Sequence, residues 1–173
     1  MLVRASLAGD QAAYGVLVEK YSAPLFNAAY RITHSREDAG DAIQTAFVKA
    51  YEKLHTFDFG HRFFSWIYRI ALNEALDLAG RNRRETDLAE SPPLFADDPE
   101  SEYAEAEQSR LVQEAVLALE PRLRVLVVLK HFQGLSYAAI SEITGVPEKT
   151  VKSRLFSARQ RLREVMEARG WLP

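Results

Sequence analysis

Apolar residues return every three or four positions along most of the chain, and runs of strict alternation are nearly absent. That periodicity predicts helices and almost no strand. Asp10 is placed to cap a first helix, with Tyr14, Leu17, Val18 and Tyr21 on its inner face. Pro24 is placed to open a second, with Leu25, Ala28, Ala29 and Ile32 inward. Ser35 precedes Asp38 by three and caps a third, whose stripe runs Ala39, Ala42, Ile43, Ala46, Phe47, Ala50, Tyr51 and Leu54. After a loop containing Gly60, a fourth helix is expected from about Arg62 to about Leu78, with Phe64, Ile67, Ala71, Ala75 and Leu78 inward.

The pattern then breaks. Pro92, Pro93 and Pro99 argue against continuous helix, and residues 85–100 read as a linker. Four more helices are expected at about 101–118, 121–132, 136–144 and 148–168, punctuated by Gly134 and Gly145. The expected fold is therefore all-α: two small helical domains, 1–84 and 101–173, joined by a flexible acidic linker.

Charge sharpens this division. The chain of 173 residues has a net charge of −2, yet Glu85–Glu107 holds nine acids and no Lys or Arg. Outside that strap, 22 basic residues face 15 acidic ones. Two positive blocks flanking a negative strap suggest a polyanionic partner, though an ordinary solvated surface has the same sum. No apolar run approaches the ~20 residues of a membrane span, so no membrane insertion is expected. There are no cysteines, which excludes disulfides and thiolate metal sites and fits a reducing cytoplasm. His34, His55, His61 and His131 form no metal-ligand spacing, and no phosphate-binding or dinucleotide fingerprint is present. No cofactor, metal or catalytic residue is expected, and the protein reads as a non-enzyme.

The C-terminal block carries the clearest chemistry. In "SYAAISEITGVPEKTVKSRLF", Ser136–Phe156, Ser136 is an N-cap, Ile140 and Ile143 point inward, and Gly145 permits a tight turn. Pro147 sits near the start of the next helix, where its missing N–H costs nothing. This is a helix-turn-helix pattern, whose second helix enters the DNA major groove. Lys152, Ser153, Phe156 and Ser157 would project outward, with Arg154, Arg159, Arg161 and Arg163 adding positive charge. A plain helical hairpin with a solvated basic face is the alternative.

In the N-terminal block, Arg62, Trp66, Arg69 and Asn73 share a helix face, spaced four, three and four. An indole between guanidinium groups and an amide can stack a base, hold phosphate and read a base edge, as unpaired nucleic acid requires. Trp66 as half-buried core is an equal alternative. Arg81, Arg83 and Arg84 extend the positive surface or cap the helix end. On the preceding helix, Asp41, Gln44, Thr45 and Glu52, with Val48 among them, form a partner-binding or a merely solvated face.

These segments resemble the bacterial extracytoplasmic-function sigma factors of RNA polymerase, which keep regions 2 and 4. "DAGDAIQTAFVKAYEKL" is similar to their core-binding segment, "FFSWIYRIALNEALD" to the segment that melts and reads the −10 element, and "ALEPRLRVLVVLKHFQGLSYAAISEITGVPEKTVKSRLFSARQRLR" to region 4, which reads the −35 element. The resemblance implies core-polymerase contacts at Asp41, Gln44, Thr45, Phe47 and Val48, made with the β′ clamp helices, while region 4 meets the β flap. It implies −10 contacts at Arg62, Trp66, Arg69, Asn73, Arg81, Arg83 and Arg84. It implies −35 contacts at Lys149, Thr150, Lys152, Ser153, Arg154, Phe156, Ser157 and Arg159. Thr45 stands where the family usually has Glu, Ser157 where many members have Arg, and Lys149 where Gly is common. The implied partners are core RNA polymerase, promoter DNA and an anti-sigma factor, and the implied location is cytoplasmic. A sigma mimic and a plain helix-turn-helix regulator are the competing readings. The first lacks its usual receiver domain here, and the second leaves the N-terminal block unexplained.

Overall fold

The computed structural model describes residues 1–88 and 103–171, with side chains placed as far as Arg81 and again from Arg110. Most of the expected acidic linker lies outside the described residues. The described residues form eight α-helices and no strand: α1 (Leu2–Leu7), α2 (Gln11–Thr33), α3 (Arg36–Glu52), α4 (Phe63–Leu88), α5 (Tyr103–Leu117), α6 (Pro121–Val127), α7 (Tyr137–Thr144) and α8 (Glu148–Ala168). A short 3₁₀ turn, Leu54–Thr56, follows α3, and α6 widens into a π-helical turn at Val128–Phe132.

The caps explain where several helices begin. The Asp10 carboxylate accepts from the Ala13 amide, the Ser35 hydroxyl from Asp38, and the Ser136 hydroxyl from Ala139. Each occupies one of the orphan N–H groups of a first turn.

Pro24 departs from expectation. It does not open a helix; it lies inside α2, which runs unbroken for 23 residues. An interior proline removes one backbone hydrogen bond and costs about 3 kcal/mol in an isolated helix. Here Leu17, Leu25, Ala28 and Ile32 all bury on one continuous face spanning the proline, each at 4% exposure or less. Tertiary packing outweighs the local penalty. The helix α4 is also longer than its apolar stripe suggests. It passes through Gly80 and the basic Arg81–Arg84 stretch to Leu88.

In the N-terminal half, α2, α3 and α4 pack on one another through alanines. Ala28, Ala39, Ala42, Ala46, Ala50 and Ala75 are fully buried. Side chains this small let the backbones approach closely, so little room is left for larger residues. In the C-terminal half, α6, α7 and α8 enclose Val128, Leu129, Ile140, Ile143, Val151 and Leu155.

The two halves dock directly on each other, and their buried residues form one continuous cluster. The Arg124 guanidinium, 9% exposed, donates to the carbonyls of Ile32, Leu117 and Leu119. It thereby ties the end of α2 to the start of the C-terminal half. Arg31 donates to Gln113 Oε1 at 2.8 Å, and Gln113 Nε2 donates back to the Arg31 carbonyl at 3.1 Å. The Tyr68 hydroxyl donates to Gln133 Oε1, and burial pushes its pKa up to about 12, so it stays a donor.

Candidate nucleic-acid interface

The recognition element is built as the sequence pattern requires. Gly145 ends α7 in the left-handed region at φ 71°, where a side chain would be strained. The chain then turns through Pro147 into α8. Val151, Leu155 and Ala158 bury at 0–2% exposure and fix the rotation of α8. That rotation puts Lys149, Lys152, Ser153, Phe156, Ser157 and Arg159 in solvent, with Thr150 and Arg154 half-buried at the edges. Phe156 is 59% exposed, a large apolar group with no core role, suited to a base-edge methyl. The Ser157 hydroxyl donates to the Ser153 carbonyl, one turn back along its own helix.

Sequence reasoning missed Tyr137. Its ring lies 4.6 Å from the Lys130 ammonium and 5.2 Å from that of Lys152. The aromatic face steadies both cations at the edge of the recognition surface. The signal was an aromatic directly after the Ser136 cap, which periodicity does not distinguish from a core residue.

On α4, Trp66 and Arg69 line a cleft of about 140 Å³ with Phe57, His61 and Ser65, whereas Arg62 stands just before the helix and does not line it. Trp66 is half-buried, its ring 5.4 Å from Phe57 and 5.7 Å from Phe63. Packing anchors it, and one side still faces the cleft. Asn73 and Arg81 are exposed farther along α4 and do not line that cleft. Arg83 and Arg84 lie in α4, with side chains outside the described set.

Arg69 is not free. Its Nε donates to the Ile143 carbonyl at 2.9 Å and its Nη2 to the Glu142 carbonyl at 2.5 Å. It thus caps the C-terminal end of α7 from the other half of the molecule, where a cation is favoured.

The α3 residues divide between two grooves. Asp41, Gln44 and Thr45 line one with Lys49, Glu74 and Arg81, where Lys49 and Glu74 pair at 2.6 Å. Val48, 54% exposed, lines a second and mainly apolar groove with Tyr14 and Tyr51. Phe47 is 7% exposed and forms part of that groove's wall. Its carbonyl accepts from the Tyr14 hydroxyl, whose pKa burial raises to about 12. Among the described residues no group of His, Asp or Glu side chains could hold a metal ion. No helix of the described residues is long and apolar enough to cross a membrane.

Residues 17–85 match the Sigma-70 region 2 family, and residues 109–162 match Sigma-70, region 4. The chain is 34% identical to the RNA polymerase sigma-H factor of Pseudomonas aeruginosa, covering 92% of this chain and 89% of that one. It is 31% identical to the ECF RNA polymerase sigma factor SigW of Bacillus subtilis, covering 90% of each. It is 33% identical to the ECF RNA polymerase sigma-E factor of Escherichia coli strain K12, covering 92% and 90%. Among solved structures it resembles CnrH in complex with the cytosolic domain of CnrY, at 27% identity and a TM-score of 0.74 over 96% of each chain. It shares its fold with the sigma factor RpoE from Bartonella quintana, solved with the anti-sigma factor NepR. That match has 24% identity and a TM-score of 0.66 over 88% of this chain and 93% of that one. Two sigma regions in order, a helix-turn-helix with its outer face open, and full-length relatives lead to one conclusion: this chain belongs to the ECF RNA polymerase sigma factors.

Proposed function

We propose that the protein binds core RNA polymerase and directs it to promoters through two separate DNA surfaces. The α8 face, with Lys149, Thr150, Lys152, Ser153, Arg154, Phe156, Ser157 and Arg159, reads the −35 duplex from the major groove. The α4 face, with Arg62, Trp66, Arg69 and Asn73 and the basic Arg81–Arg84 stretch, takes the unpaired −10 strand. Asp41, Gln44 and Thr45, with the apolar Val48 and Phe47 beside them, face the polymerase. The single observation that carries this reading is the solvent-open basic helix α8, held by a buried Val151–Leu155–Ala158 stripe inside a region 4 sequence.

The protein acts as a targeting subunit rather than a catalyst, and it works in the cytoplasm where the polymerase and promoters are. The docked arrangement of its two halves also favours a protein partner. CnrH, similar over its whole length, was solved with a bound cytosolic domain. An anti-sigma factor holding this chain in the docked form is the corresponding partner here. A run-off transcription assay with core polymerase and a randomised promoter library tests the reading. Transcripts from promoters sharing two spaced elements are expected. Core binding without any promoter-dependent transcript would contradict it.

A further inference from the structure

The π-helical turn Val128–Phe132 meets different neighbours on its two sides. On one side the Arg31 guanidinium lies 4.4 Å from the Phe132 ring, and Gln133, the next residue, accepts from the Tyr68 hydroxyl. That side faces the N-terminal half. On the other side Lys130 and His131 lie beside α8. The Lys130 ammonium shares the Tyr137 ring with that of Lys152, and it donates to the Leu135 carbonyl at 3.1 Å. His131 is exposed and lies within electrostatic reach of Arg159, which follows Lys152 by two turns of α8. A π turn inside a helix is rare and occurs mostly where a function is served.

The charge around His131 is one-sided. The charged groups that act on its ring are Arg159 from α8 and Lys130 from its own turn, and both are cations. Lys152 extends the cluster through Tyr137 of α7, and α2 reaches the turn only through Arg31 on Phe132. Among the described residues, none of Lys130, Lys152 and Arg159 pairs with a carboxylate. Like charges held this close repel, and an anion laid along them relieves the repulsion. Partial burial first, then Arg159 and Lys130, hold the His131 imidazole below its usual 6.5, so the free protein keeps it mostly uncharged at neutral pH. An arriving phosphate reverses that balance. Its negative charge favours the protonated ring, whose added N–H donates to a phosphate oxygen.

We infer that His131 is a proton-linked phosphate contact for duplex DNA lying on the α8 face, taking up a proton as the DNA binds. This rests on the reading of α8 as the duplex surface and adds a residue outside the recognition helix, on the turn that precedes α7. The contact carries no base information, since a phosphate is the same at every position. Its pH dependence has a fixed sign. The bound form holds the proton more tightly than the free form, so affinity rises as pH falls through the slightly acidic range. A lysine at this position would hold the phosphate at any pH in that range, whereas histidine makes the contact conditional.

The test measures binding of the full chain to a mixed-sequence DNA duplex of about 25 base pairs at low salt, where phosphate contacts dominate. The duplex carries a pH-insensitive rhodamine, and anisotropy is read at pH 8 and pH 6 at constant ionic strength. Wild type is expected to bind about fivefold more tightly at pH 6, with a salt slope steeper by up to about one. His131→Gln is expected to lose both differences. His131→Lys is expected to bind at pH 8 as tightly as wild type does at pH 6, and to respond little to pH. The same pH response in wild type and His131→Gln, a full wild-type response in His131→Lys, or no duplex binding at either pH would each overturn the inference. Lys152→Ala separates the two readings. If it leaves affinity unchanged at both pH values while His131→Gln removes the pH response, the recognition face of α8 is misassigned and the His131 contact stands. If it weakens binding while wild type and His131→Gln respond alike, the inference falls and the α8 reading stands.

Discussion

The two helices proposed to face DNA differ in what the rest of the molecule does to them. The outer face of α8 is open: Lys152, Ser153 and Phe156 meet solvent, while Val151, Leu155 and Ala158 are buried beneath it. The α4 face is also largely exposed, but its start is tied to α7. Arg69 is spent on two carbonyls of α7, and the Arg62 amide is taken by Glu142. A duplex reader that is always exposed suits search, because non-specific duplex contacts are weak, electrostatic and fast. A single-strand reader that is exposed at all times would meet RNA and unpaired DNA everywhere. On the proposed reading, the contacts of α7 at the start of α4 disfavour strand capture until the halves have parted.

The largest effect should come from breaking the docking at its buried bolt. Arg124→Ala leaves three carbonyls without their donor and removes the tie between α2 and the C-terminal half. A loss of about 3 kcal/mol is expected in urea unfolding. A loss under about 1 kcal/mol would mean that water replaces the guanidinium and that the halves are joined mainly by apolar contact.

Next come the two reading surfaces themselves. Lys152→Ala should weaken −35 duplex binding by about 1–3 kcal/mol if the ammonium reads a base. Uniform weakening of all duplexes, with a salt slope lower by about one, would reassign it to phosphate. Trp66→Ala should cost about 1–3 kcal/mol in open-complex formation through lost base stacking, while core binding holds. Because Trp66 also packs on Phe57 and Phe63, an equal fall in thermal stability and in core binding would return it to the core. These two variants sharpen the contrast, since only the second acts on the helix tied to α7.

The smallest effect concerns His34 at the end of α2. Burial first, and the neighbouring Arg31 second, hold its pKa below 6.5. The unfolded chain therefore takes up the proton more readily than the folded one. The stability from His34 is complete above about pH 6.5 and declines as pH falls through the lowered folded value. His34→Gln should flatten the stability profile between pH 7 and pH 5. An identical slope in both proteins would assign the acid sensitivity elsewhere.

The helices of the C-terminal half were legible almost to the residue, because each carries its own stop and start. Ser136 caps α7, Gly145 ends it, Pro147 precedes α8, and three buried positions fix the face of α8. The candidate −35 residues follow from that face alone. Pro24 misled because a local rule for proline was outweighed by an apolar stripe continuing through it. Helix α1 was missed because six residues give too few turns for periodicity to show. The docking was invisible for a different reason. Arg69, Arg124 and Glu142 read as surface charges in sequence, but their partners are backbone carbonyls and an amide in the other half. Backbone groups leave no mark in a pattern of side chains. Tyr68 and Gln133 pair across 65 positions with the same lack of warning.

The most direct test of the proposal that the docked halves hinder the α4 surface is to prevent them from parting. The chain has no cysteine, so His61→Cys with Glu142→Cys introduces a single pair across the interface, which a short reducible bis-maleimide can bridge. Run-off transcription with core polymerase is then measured for the bridged protein, and again after the bridge is cleaved. The account predicts no promoter-dependent transcript while the bridge is intact and recovery to the level of the unbridged double variant after reduction. Equal transcription from the bridged and reduced proteins would contradict it, because the α4 surface would then be reached with α7 still in place.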